Sequence, residues 1–405
     1  MNGVRAVCGQ GANGLRGVGA VAEREVVRRP PGRRAQILAA AVGQFHRHGY
    51  HQVSMAEVAA EVGITAPALY RHFRGKPELL RCAVEAELAV LGEAVRRGAD
   101  GPDALCAALA GAAIEHRALG TLWQREARLL PPAQQARLRR ELRGQVAVMA
   151  RIVDGPETAG AGAAAAEFRC WSMLAMYGSL SHHTFAPPRR QFERLLRRLG
   201  AALLTARELP GRDAPRAAGP GTVPAGSRRE ELLAAAVRLF DTRGFDNVST
   251  DRLGAAVGIA GPSVYKHFAT KADLLAAALS RSRERLWHEV GGALADASSP
   301  ADALAAGLDA YLDFARRNSH YLGAMLRETE RLAPPDRKAA LDFRRDFLRT
   351  WVDLLRQLRP EYDRAEARIR VHAMFALVND GVRHRPGGGE PVPGLDALSR
   401  AVLGL

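Results

Sequence analysis

Residues 33–84 and 228–279 align without a gap at an offset of 195, and 23 of the 52 positions are identical. No other feature constrains the fold as tightly. A segment repeated at this length must fold twice from the same local instructions, and its period is far longer than a solenoid's. The likeness continues more loosely. Arg125-Glu126 followed by LLPP answers to Arg327-Glu328 followed by TERLAPP, and residues 168–175 (FRCWSMLA) answer to 369–376 (IRVHAMFA). Between the copies lies GRDAPRAAGPGTVPAGS, Gly211 to Ser227, whose Pro, Gly and Ala content reads as a linker. The chain is expected to be one helical unit made twice.

Helical period dominates from Arg33 onward. Ile37, Ala41 and Phe45, flanked by Leu38 and Val42, make one apolar stripe. Long helical patterns follow near 76–98, 102–117, 134–153, 163–182 and 188–206, and no segment reads as a strand. The expected fold class is all-α. The expected divisions are a disordered basic tail over 1–32, a head at 33–84, a helical regulatory unit at 85–207, a linker at 208–227, a second head at 228–280 and a second regulatory unit at 281–405. Gly9-x-Gly11-x-x-Gly14 in the tail lacks the flanking strand and helix of a dinucleotide site and reads as flexible chain. Cys8, Cys82, Cys106 and Cys170 are scattered, as free thiols in a reducing compartment would be. With no apolar run of membrane-spanning length and no signal-peptide core, a cytoplasmic protein is expected.

Within each copy the residues spell three short helices. The first, from Arg33 to about His48, ends at Gly49, an expected left-handed cap. The second opens at Ser54 with Glu57 three residues on, a capping box, and breaks at Gly63. The third runs from Thr65, a good N-cap by type, to about Phe73, with Pro67 tolerated in its first turn. Leu69 and Phe73 face inward, leaving small residues, a tyrosine and cations outward. A fourth helix opens near Lys76. Small side chains allow a helix to approach the major groove closely, and cations and hydroxyls fix it on phosphates. The second copy keeps Ser249, Gly258, Pro262, Tyr265, His267, Phe268 and Lys271, and adds a Thr270–Asp273 cap. Its changes fall on the reading face: Ala66 becomes Gly261, Ala68 becomes Ser263, Arg71 becomes Lys266 and Thr65 becomes Ala260. A net charge of +15 suits a polyanionic partner, although residues 228–280 are close to balance.

The run F-x-x-x-G-[YF]-x-x-V-S, then G-I-x-x-x-x-[LV]-Y-x-H-F-x-x-K-x-x-L-L, resembles the DNA-binding domain of TetR/AcrR-family transcriptional regulators in both copies. The resemblance implies a helix-turn-helix head followed by a helical-bundle domain for ligand binding and dimerisation. It implies a homodimer that binds a palindromic operator and releases it when a ligand binds. It places base reading on Ala66, Pro67, Ala68 and Tyr70, and on Gly261, Pro262, Ser263 and Tyr265. Arg71 and Lys266 fall where a base edge or a phosphate is met, and His72, Lys76, His267 and Lys271 where phosphates are met. Helix-two contacts fall on Ser54, Met55 and Ala56 in one copy and on Ser249, Thr250 and Asp251 in the other. Thr65 heads the first reading helix.

Two complete units in one chain depart from the family pattern. The expectation is a ligand-responsive repressor whose halves pair within one polypeptide on an asymmetric double-stranded operator. The alternative is an architectural protein in which one head is degenerate and serves pairing. A 20-residue linker reaches roughly 25 Å on average and about 70 Å extended, enough for pairing within the chain. The effector is expected to be small and largely apolar, a drug-like compound or an acyl thioester by resemblance, with Trp123, Trp171, Tyr177, His182, Tyr321, Met325, His372 and Asn379 as pocket candidates. The aromatic and methionine stripes that hold these residues serve a core equally well. His46, His48 and His51 read as a solvated helix end, because the second copy has Asp241, Arg243 and Asp246 there. Adjacent His182 and His183 point in different directions and are not expected to chelate a metal together. No nucleophile, zinc or phosphate-loop motif is present, so neither an enzyme nor a cofactor is expected.

Overall fold

The computed structural model describes residues 32–155, 161–206, 227–383 and 394–405. The expected tail up to residue 31, with Cys8 and the glycines of its Gly9-x-Gly11-x-x-Gly14 pattern, and the expected linker up to residue 226 lie outside the described residues. Among the described residues every regular element is helical. The first half comprises α1 (Arg33–His48), α2 (Met55–Glu61), α3 (Ala66–Tyr70), α4 (Lys76–Arg97), α5 (Pro102–Glu115), α6 (Ala118–Thr121), α7 (Pro132–Asp154), α8 (Ala161–Gly178) and α9 (Arg189–Thr205). The second comprises α10 (Arg228–Arg243), α11 (Thr250–Ala255), a 3₁₀ turn over Gly261–Lys266, α12 (Lys271–Ala295), α13 (Pro300–Arg317), α14 (Ser319–Glu328), α15 (Pro334–Leu358), α16 (Arg364–Gly381) and α17 (Leu395–Leu403).

The local signals explain most boundaries. Ser54 Oγ accepts from the Glu57 N–H at 3.1 Å, and the Glu57 carboxylate accepts from the Ser54 N–H at 2.6 Å. Thr270 and Asp273 make the same reciprocal cap on α12. Gly63 and Gly258 carry φ of +67° and +72°, the left-handed turn between the helix-turn-helix pair. Gly49 differs from expectation. Its φ is +80° but its ψ is 150°, so it reverses the chain into a 3₁₀ turn at Tyr50–Gln52 instead of closing a left-handed cap. The pattern over 163–182 also splits: α8 stops at Gly178 and a 3₁₀ turn carries Ser179–His182.

The core crosses from one half to the other. α8 lies along α16, and α9 lies along α17. Phe168, Met173 and Met176 share one buried cluster with Ile369, Met374 and Leu377. The first head belongs to the same cluster through Ile37, Phe45, Leu69 and Leu80, whereas the second head forms a separate cluster around Leu232, Phe240, Val264 and Leu275. Burial of this kind is worth roughly 25 cal/mol per Å² of apolar surface, so the seam stabilises the joining of the two bundles. Gln191–Asp363 and Arg198–Glu366 contacts line the edge of the same seam.

Candidate nucleic-acid interface and cavities

Each head is held by the same set of contacts. Arg33 and Arg228 donate to the carbonyls of Val62 and Val257, at 3.2 and 2.7 Å. Arg34 and Arg229 stack their guanidinium groups over Phe73 and Phe268, at 4.3 and 4.6 Å from the ring centres. Leu69 and Phe73 are buried, as are Val264 and Phe268. That fixes which face of each reading element looks outward. Tyr70 is 51% exposed and Tyr265 52%, unusual values for a large ring. Pro67, Arg71, Pro262 and Lys266 are also exposed, Ala68, His72, Ser263 and His267 half-buried. The Arg71 and Lys266 side chains make no hydrogen bond or ion pair among the described residues.

Lys76 and Lys271 are tied to their own heads. Lys271 Nζ donates to the carbonyls of Phe245 and Val248, at 2.9 and 3.0 Å, and lies 4.2 Å from the Phe245 ring centre. Lys76 Nζ reaches the His51 carbonyl at 3.4 Å and sits 4.3 Å above Tyr50. Each lysine therefore staples the start of the fourth helix to the turn after the first. Sequence alone did not disclose this, because the acceptors are main-chain carbonyls.

Three readings change with the structure. Thr65 stands at the N-cap of α3, but its hydroxyl caps nothing. Pro67 has no N–H to offer, and the Ala68 N–H already bonds the Thr65 carbonyl at 3.0 Å. Met55 is buried, so it belongs to the core and not to a contact surface. Gly261 is buried against Asp251, and a Cβ there would run into the Asp251 carboxylate and lie 2.8 Å from its Cα. The change from Ala66 to Gly261 therefore accommodates the change from Ala56 to Asp251. With Ala260 ahead of it, the second reading element winds as a 3₁₀ turn where the first is α-helical. The heads also differ in charge: 33–84 has seven basic and three acidic residues, and 228–280 has seven and six.

Below the heads, arginine links each first helix to its bundle. Arg125 Nη2 donates to the Phe45 carbonyl at 3.2 Å. Its counterpart Arg327 bonds the buried Asp241 carboxylate, which His320 Nδ1 meets at 2.7 Å and Arg383 Nη1 at 3.2 Å. Burial works to raise the Asp241 pKa, but the His320 hydrogen bond and the two arginine charges overcome it and hold it below its usual value. The histidine cluster is not simply a solvated helix end. His46 is half-buried, and His51 meets Asp246 of the other half at 3.4 Å. The sequence signal for this junction was available in the aligned pairs His46–Asp241 and His51–Asp246.

Two cavities occupy the bundles. The first, about 580 Å³, is lined by Trp123, Trp171 and Tyr177, and it extends to Asp241, His320 and Arg327 of the second half. The Tyr177 hydroxyl lies 3.2 Å from the Cys106 carbonyl and is buried. The second, about 200 Å³, is lined by His182, Met325, His372 and Asn379. Tyr321 lines neither cavity. It packs beside the second head's core, its hydroxyl accepting from Arg285 at 3.0 Å. Asn379 accepts from the Tyr311 hydroxyl at 2.7 Å, and Asp380 accepts from Gln124 of the first half at 2.8 Å. No described helix is long and apolar enough to cross a membrane.

Known proteins agree with the heads. The family model for bacterial regulatory proteins of the tetR family matches residues 37–83 and again residues 232–278. The HTH-type transcriptional activator FasR of Mycolicibacterium smegmatis is 32% identical over 97 residues, 24% of this chain and 44% of that protein. The nucleoid occlusion factor SlmA of Haemophilus ducreyi is 28% identical over 92 residues, 22% of this chain and 46% of that protein. The chain thus spans less than half the length of these curated relatives. Among solved structures, the ketosteroid regulator KstR2 of Mycobacterium tuberculosis is 25% identical, with a TM-score of 0.40, over 44% of this chain and 94% of that one. A TetR-family regulator from Bordetella parapertussis is 21% identical, with a TM-score of 0.40, over 44% and 92%. The same helix-turn-helix is built twice, and each copy matches the family model for bacterial regulatory proteins of the tetR family, so the chain carries a tetR-family domain twice.

Proposed function

We propose that the chain is a cytoplasmic, ligand-responsive repressor whose two heads, at 33–84 and 228–280, address two unlike half-sites of one operator. The observation that carries this is the apolar seam of α8 against α16 and α9 against α17, formed within one polypeptide. The regulatory units at 85–207 and 281–405 meet there, as two protomers of a family homodimer would. Joining them by a linker raises the effective concentration of one half near the other, which favours pairing within the chain over pairing between chains. Tyr70 and Tyr265, with Ala66, Pro67, Ala68, Pro262 and Ser263, are the reading surfaces. Arg71, Lys266, His72, His267, Ser54, Ser249 and Thr250 flank them toward phosphates. An effector in a bundle cavity biases the spacing of the heads through Arg125 and Arg327, and so releases DNA. Selection from random DNA at fixed salt, with mass photometry at nanomolar concentration, tests this. A non-palindromic site bound by one chain is the expected result. A perfect palindrome bound by two chains overturns it.

A second reading has one specific support. Asp251 puts an exposed carboxylate beside the second reading element, where a phosphate backbone repels it. On that reading the second head serves pairing, and the chain acts as an architectural protein. Loss of binding on mutating Tyr70, with none on mutating Tyr265, decides for it.

A further inference from the structure

The two cavities differ at one wall. α7 and α15 both open on a proline, Pro132 and Pro334, which puts Leu142 of the first half in the place of Arg344 of the second. Leu142 lines the larger cavity, and Arg344 lines the smaller one. Among the described residues the Arg344 side chain makes no hydrogen bond and no ion pair. The carboxylate whose field reaches it, Glu330, is already paired with Arg337. Other charges in this wall are engaged too: Arg327 and Arg383 hold Asp241, and Asp380 holds Gln124. Arg283 also lines the cavity and likewise makes no hydrogen bond or ion pair among the described residues, but two carboxylates, Asp336 and Glu284, act on it where one, Glu330, acts on Arg344.

Burial inside the bundle lowers the Arg344 pKa, the direction expected of a guanidinium stripped of water. Its charge reaches His182, His183 and His372, and contributes to keeping all three below their ordinary pKa. A half-buried cation without a counter-ion carries part of the cost of a buried one, and a pocket for an anion is the arrangement that offsets it. Leu279, Leu286, Phe343, Phe347, Leu348 and Phe375 give the wall an apolar part. A planar guanidinium binds a carboxylate through two parallel N–H bonds.

We propose that the second cavity is a site for a small amphipathic carboxylate, with Arg344 as partner of the carboxylate and the leucine and phenylalanine wall around its hydrocarbon chain. The first cavity has leucine at that place. This deepens the effector reading above by naming the ligand class and the half that senses it.

The test uses the full chain, sodium octanoate as probe and octan-1-ol as its neutral counterpart. Calorimetry is expected to show one octanoate per chain, and octanoate is expected to raise the melting temperature. Arg344→Leu, the first half's own residue at this place, should weaken octanoate at least ten-fold and leave octanol unchanged. The same variant should melt no lower than the parent without ligand, because it removes an uncompensated, half-buried charge. Should it fold poorly, Arg344→Lys, which keeps the charge but not the fork, should bind octanoate at an intermediate strength. Octanol binding as tightly as octanoate, or octanoate binding unchanged in Arg344→Leu, overturns the proposal. Octanoate that binds through Arg344 without altering DNA binding upholds the site and removes the coupling argued under the proposed function.

Discussion

Arg128 of the first half meets the buried carboxylate of Glu328 of the second at 2.6 Å. Glu328 is 1% exposed, so the pair lies in the interior of the junction between halves and not on its rim. Breaking a buried pair from one side leaves the other charge uncompensated, at a cost of about 3 kcal/mol or more. Glu328→Gln is therefore expected to lower stability by about that amount, and Arg128→Met with Glu328→Leu to recover much of it. Urea unfolding of the single and double variants checks this. Equal, additive losses would mean that the two side chains do not interact.

Gly261 is set by Asp251, and the pair can be taken apart. Gly261→Ala should destabilise the second head through the clash with the Asp251 side chain and main chain. Asp251→Ala should relieve the side-chain part only, so the double variant should regain part of the loss. The first head, with Ala66 over Ala56, predicts that the combination is tolerated. Thermal melts of the four proteins of the cycle decide. A Gly261→Ala variant with an unchanged melt would remove the explanation.

Lysine replacement should separate two roles. Lys271 makes two bonds to carbonyls near 3 Å, and Lys76 makes one at 3.4 Å. Lys271→Ala should thus lower the melting temperature more than Lys76→Ala. Both should also weaken DNA binding for all sequences alike and reduce the salt slope by about one unit if each meets one phosphate. A full effect on melting with an unchanged salt slope would assign the lysines to the staple alone.

Acid should loosen the molecule through its buried imidazoles. Burial, with help from neighbouring arginines, depresses His182 to about 3 and His183 to about 4, and drives His372 well below its ordinary value. Their pKa is lower folded than unfolded, so the unfolded chain binds protons first as pH falls. The stability is complete above the unfolded value near 6.5 and is lost progressively below it, until the folded values are reached. At pH 5 each neutral histidine costs up to about 2 kcal/mol. His183→Phe should make the melting temperature less dependent on pH between 7 and 5. An identical pH profile in that variant would refute the assignment.

Much of this was legible in one dimension. Ser54 with Glu57, Gly63 before Pro67, and the spacing of Leu69, Tyr70 and Phe73 specify a helix-turn-helix from contacts within a few residues. Repetition of those residues at 195 positions' distance doubled the signal. The outward tyrosines followed from the same phase, since whatever is four apart with Leu69 must turn inward. Local misreadings were small and have local causes: Pro67 denies Thr65 its capping partner, and Gly49 uses positive φ to enter a turn.

What the sequence by itself determined is therefore the all-helical class, the duplication and the face each reading element presents. All of these arise from interactions of short range, whose residue types and spacing carry the information. What only the tertiary structure decided is how the halves are joined and where charge is left over. His51 with Asp246, Arg128 with Glu328 and Gln124 with Asp380 are separated by about 200 residues or more, and no period along the chain marks them. The same is true of Arg344 in the second cavity. Arg344 looks like any other arginine of a basic helix until the packing of α15 places it on a cavity wall, with Glu330 already paired to Arg337.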